Sequence, residues 1–136
     1  MKKPALLRIL ILFTFVFSMG FLAQAQTSFS CGTRTTCLLD ENDDIKNCSE
    51  KDESSLFVFN DNVTMITHTT ESNKTVYYIK ESEHDEKDNS FTFEVTSENG
   101  NDYVFFVFPD DEQIAVFFVD DEGDTYVVLF EIKAIF

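Results

Sequence analysis

Positive charge is scarce in this sequence: ten Lys and Arg stand against 25 Asp and Glu over 136 residues, for a formal net charge of −15. So acidic a chain repels phosphate backbones and anionic lipid surfaces, which argues against nucleic acid or a membrane surface as a partner. It favours a cationic partner, loosely held divalent ions, or simple solubility. Gly and Pro are also few, four and two. No segment shows the i, i+3, i+4, i+7 apolar stripe of an amphipathic helix. G-x-S-x-G, H-E-x-x-H, phosphate-loop and dinucleotide patterns are all missing. Only two histidines, His68 and His84, are present to move protons. Carboxylate pairs are so common here that they single out nothing. The expectation is a protein that is not an enzyme and that has no cofactor and no metal.

Cysteine is limited to Cys31, Cys37 and Cys48, spaced C-x5-C-x10-C. The tight C-x2-4-C knuckle of a structural zinc site is missing. In an oxidising compartment one intramolecular disulfide is expected, with the third thiol left over or bridging a dimer. The spacing does not choose the pair.

An export signal heads the chain. Lys2, Lys3 and Arg8 form a positive start, residues 9–17 are apolar, and Ala23-Gln24-Ala25 is a small-x-small junction. This is the order of a secretory signal peptide, with cleavage expected after Ala25 and a secreted or periplasmic destination. The apolar run is shorter than the ~20 residues a bilayer needs, so no stable membrane anchor is expected after cleavage. Ser28-Phe29-Ser30 before Cys31 does not resemble a lipid-attachment site. The Lys-Lys start and the junction have a bacterial look. Removing three cations leaves seven against the same 25 acids, a mature charge of −18. Twelve of the sixteen Phe remain beyond the leader. At roughly 1.5–3 kcal/mol for each buried Phe, they can hold one domain against its chain entropy.

The domain is organised around residues 91–136. Strands are expected at 91–96, 103–108, 114–119 and 126–132, with turns at Glu98-Asn99-Gly100-Asn101, Pro109-Asp110-Asp111-Glu112 and Asp120 to Asp124. Three further Val/Ile/Thr/Tyr/Phe-rich runs, 56–59, 63–70 and 74–81, precede them, and 82–90 reads as a charged loop. Residues 26–54 are polar and acidic and show no sustained period. The fold expected is all-β: an antiparallel meander of about seven strands in one curved sheet, sandwich or partly open barrel. A cysteine-containing irregular arm, 26–54, precedes the meander at 55–136.

Placing Asn99-Gly100, Asp110-Asp111 and Glu122-Gly123 at the hairpin tips sets a register. It puts Phe91, Phe93, Val95, Val104, Phe106, Phe108, Ala115, Phe117, Val119, Tyr126, Val128 and Phe130 on a core face. The opposite face carries Thr92, Glu94 and Thr96, then Tyr103, Phe105, Val107, Ile114, Val116, Phe118, Val127 and Leu129. Those last eight are the candidate binding residues, because three adjacent strands apolar on both sides imply a cover over the second face. A similar register places His68 opposite Tyr77, on the face of Ile66 and Ile79, as a partly buried structural histidine. His84 is expected to be exposed.

Two acidic stretches imitate calcium loops. In Asp40–Asp44 the pattern fails at Ile45 and Lys51. In Asp120, Glu122, Asp124 and Glu131 it fails at Thr125, where Gly belongs. They read as a solvated loop and as charged gatekeepers beside aggregation-prone strands. Two function classes follow. One is a binding or interaction module using the second apolar face toward an unknown protein partner or itself. The other is a carrier that encloses a small apolar ligand as lipocalin-like barrels do.

Overall fold

The computed structural model describes residues 26–136, and the expected signal peptide and its cleavage site lie outside them. Eight strands follow one another: β1 (Thr27–Leu39), β2 (Ile45–Phe59), β3 (Met65–Thr70), β4 (Lys74–Asp85), β5 (Ser90–Ser97), β6 (Asp102–Phe108), β7 (Gln113–Val119) and β8 (Thr125–Ile135). Each pairs antiparallel with the next, and β8 pairs with β1 to close an up-and-down barrel. Closure satisfies the edge groups that an open meander would leave bare. Ser28 and Phe136 meet there, exchanging two backbone hydrogen bonds of 2.7 and 2.9 Å.

The acidic segment read as an irregular arm is therefore barrel wall, and the strand number is eight instead of seven. Residues 27–39 form β1, and 45–54 form most of β2. That part of β2 is almost wholly exposed, so its side chains show no period. Its backbone pairs with β1, and a disulfide joins Cys37 to Cys48 across the same ribbon. Cys31 is the free, buried thiol.

Alternating side chains fill the interior. Phe29, Phe57, Phe59, Phe91, Phe93, Phe105 and Phe130 meet there with Ile66, Val95 and Ile114. Phe57 is fully buried and receives Phe105 and Phe130 edge-on, with centroids at 5.9 and 4.9 Å. Such geometry sets the electropositive edge of one ring against the face of another.

Two of the three expected hairpin registers are shifted by one residue. Phe93 pairs with Phe105, not Phe106, and Val116 pairs with Val128 where Phe117 was expected. The β6–β7 register, Phe106 with Ala115 and Val104 with Phe117, is as expected. Both shifts have the same cause. The loops at Gly100 and Gly123 contain three residues, not two, and each Gly takes the third, left-handed place with φ near 89° and 88°. The Ser97 hydroxyl accepts the amides of Asn99 and Asn101. The Asp120 carboxylate accepts those of Glu122 and Asp124 in the same way. This is a type I turn completed by a glycine bulge, and the extra residue inverts the faces of the strands beyond it. Two inversions cancel, so β5 and β8 keep their expected faces while β6 and β7 are reversed.

The apolar face outside the barrel is consequently Phe106, Phe108, Phe117 and Leu129, packed around Cys37, Ala115 and Val127. It spans one side only, since β5 turns Thr92, Glu94 and Thr96 outward. A bilayer-spanning barrel has the opposite plan, an apolar band all round and a polar interior. Among the described residues, no helix is long and apolar enough to cross a membrane.

Candidate functional site

The barrel wall is notched beside β2. Pairing of β2 with β3 stops at Ser55 and Thr70, so among the described residues the segment 45–54 has a ladder only with β1. At this notch, next to the β3–β4 tip, a cavity of about 380 Å³ opens into the barrel. Its inner wall is aromatic and aliphatic: Phe57, Tyr77, Tyr103, Phe105 and Phe130, with Val116 and Val128. Its rim is polar, built from Arg34, Lys51, Glu53, Thr70, Ser72, Asn73 and Thr75. The volume lies at the lower end of the ~300–1,000 Å³ usual for small-molecule sites.

Glu53 ties the rim together. Its carboxylate lies 3.2 Å from Arg34 Nη1 and 3.9 Å from Lys51 Nζ. Glu53 is largely covered, whereas the Lys51 side chain remains 65% exposed. Lys51 and Glu53 alternate with Ser55 and Phe57 along β2, so one strand face changes from charged rim to aromatic wall.

His68 lines the wall below the rim. Its ring stacks on Phe57 and meets Phe130 edge-on. Burial, aided by Arg34, pushes its pKa from the ordinary 6.5 down to about 4. Its Nε2 is buried without a hydrogen-bond partner among the described residues. Tyr77 is pushed up to about 12, chiefly by burial and then by Tyr103. Both groups are held neutral around neutral pH. The expected register of His68 was off by two residues: it pairs with Thr75, and Ile66 pairs with Tyr77. A two-residue slip preserves the face, so the inward orientation stands. His84 is half-buried, not exposed, because β4 runs on to Asp85. Its ring stacks on Phe91 at 4.2 Å, and its Nε2 lies 3.0 Å from Asn89 Oδ1.

Of the eight residues expected on a second, bindable face, Tyr103, Phe105, Val107, Ile114, Val116 and Phe118 point into the barrel, reversed by the three-residue loops. Only Val127 and Leu129 lie outside. Tyr103, Phe105 and Val116 reach the cavity, from within the fold. Sequence reasoning missed Arg34, Lys51 and Glu53, which lay in the supposed arm. The available signal was that Arg34 and Lys51 are two of only seven cations beyond residue 25.

At the β7–β8 tip, carboxylate oxygens of Asp120, Glu122 and Asp124 come within 4.8 Å of one another. Asp120 is already engaged with two backbone amides, and the other two are exposed. The Asp120 carboxylate serves the turn. No family model, curated protein or solved structure matches this chain.

Proposed function

We propose that this protein is an exported, non-catalytic binding barrel that holds a small, partly apolar molecule in the cavity beside β2. The observation that carries this reading is the cavity itself, with an aromatic inner wall and a polar rim at a gap in the wall. Export is supported by the leader pattern and by the disulfide. Binding is favoured over catalysis because burial tunes His68 and Tyr77 of the inner wall away from neutral pH. Efficient proton transfer wants a pKa near the working pH, and His68 and Tyr77 sit at about 4 and about 12.

Native mass spectrometry of protein purified from its source tests the proposal, together with amide NMR during a screen of small amphipathic compounds. Added ligand mass and shifts at Thr70, Asn73 and Thr75 are expected. Shifts confined to the outer face around Phe106 and Phe117 would sink it.

A second reading concerns that outer face. Phe106, Phe108 and Phe117 are only partly covered, and Val119 is 62% exposed beside them. An apolar stripe on one side of a charged barrel suits self-association or a protein partner, including a cationic one. Added subunit mass in the same spectrum would favour it.

A further inference from the structure

We infer that the molecule held in the cavity is a small monocarboxylate, with its anionic group at the Arg34–Lys51 rim and a flat apolar body against the aromatic wall. This rests on the reading of the cavity as a ligand site. The charge distribution carries it. Outside the leader the chain has seven cations and 25 acids, yet the charged residues lining the cavity are two cations and one acid. The rim is thus a locally positive spot on a strongly negative protein, which elsewhere repels anions.

Glu53 does not offer a counter-site for a ligand cation, because it already lies between Arg34 and Lys51. Arg34 has donors to spare. A guanidinium carries five N–H groups, and only Nη1 is engaged with Glu53. Lys51 extends into solvent and can turn toward a carboxylate, since so exposed an ion pair is weakly held. The net charge of the three groups is one positive, which suits a single negative charge.

Size and shape narrow the class further. Phe57 and Phe105, both almost completely buried, close the inner end, so a long acyl chain has no room to thread the barrel. A single ring on a short stem fits about 380 Å³. Tyr77 meets Tyr103 and Phe105 edge-on, and Tyr103, the partly exposed member of this aromatic cluster, suits contact with a planar body.

The test uses three probes that share one ring: phenylacetate, phenylacetamide and phenethylamine. Each is titrated into the disulfide-bonded chain near neutral pH and followed by amide NMR. Phenylacetate is expected to bind about tenfold tighter than the amide, the gain of a charge-assisted bidentate contact, with the amine weakest. Arg34→Gln should close the gap, bringing phenylacetate down toward the affinity of the amide. If Arg34→Gln fails to fold, Lys51→Gln, at a more exposed position, should still narrow the gap. Equal binding of carboxylate and amide would overturn the anion assignment and leave the cavity reading standing. So would tightest binding of the amine, or a carboxylate preference that survives both substitutions. If none of the three shifts the amides of Thr70, Asn73 and Thr75, both fall together.

Discussion

The imidazole of His68 lies flat on the ring of Phe57, with centroids 4.0 Å apart and planes 7° from parallel. This contact buries a titratable ring whose Nε2 has no hydrogen-bond partner among the described residues, and it makes the stability of the barrel depend on pH. Burial lowers the folded-state pKa of His68 from 6.5 to about 4. Between those values the unfolded chain binds the proton and the folded chain does not, so this group's contribution falls as pH falls through that window. At 1.36 kcal/mol per pH unit, the loss amounts to about 3 kcal/mol. Carboxylates titrate nearby, so the comparison to make is with His68→Phe, which keeps the stacked ring. Urea titrations should show the variant's advantage growing as pH drops from 6.5 to 4. An advantage that stays constant across this window would refute the assignment.

The shifted registers predict opposite fates for neighbouring phenylalanines. Phe105 is 1% exposed inside the barrel, while Phe106 lies in the partly covered outer cluster. Phe105→Asp should unfold the domain, because an unpaired buried charge costs several kcal/mol. Phe106→Asp should leave a folded barrel and weaken any self-association through that face. Circular dichroism and sedimentation of the two variants check this, and the reverse pattern would restore the register expected from two-residue turns.

The glycine tips are testable by adding one methyl group. At Gly123, φ is +88°, and a Cβ would meet nothing within 4 Å. Gly123→Ala therefore isolates backbone strain from crowding, and a loss of about 1–2 kcal/mol is expected. Asp120→Ala should cost about 1 kcal/mol more by freeing the amides of Glu122 and Asp124. Denaturant midpoints read both effects. An unchanged midpoint for Gly123→Ala would mean that the loop is not the three-residue type.

Non-reducing peptide mapping should link Cys37 to Cys48 and leave Cys31 as a thiol. Cys31 is buried, and its pKa is pushed up to about 12 by desolvation. Thiol reagents should therefore miss it in the native state and modify it on unfolding. Reducing the bridge, which joins residues 11 apart, should cost about 3 kcal/mol in the chain-entropy model. Rapid labelling of Cys31 in folded protein would contradict its place in the core.

Much of the architecture was legible because local chemistry determines it. Alternation in Phe91, Phe93 and Val95, apolar runs on β6 to β8, and acidic tips between them point to an antiparallel meander whatever the register. The doubly apolar strands were legible as well, since Phe105 and Phe106 must face opposite sides of one strand. A disulfide among three cysteines needed only their number and the expectation of export.

Parity, closure and the cavity were decided by tertiary structure. Whether Phe105 or Phe106 faces inward depends on one loop residue, and Asn-Gly is compatible with both loop lengths until the whole interior is packed. β1 and β2 showed no clear pattern because residues 45–54 are held by backbone pairing to β1, and a ladder of amides leaves little trace in side-chain periodicity. Closure gave β8 its partner in β1. The cavity arises because β2 outruns β3 at Ser55 and Thr70, a mismatch of strand ends that brings Arg34, Lys51 and Glu53 to the rim above Phe57 and His68. Strand lengths follow from which neighbours pair, so the composition of any one segment could not disclose that site.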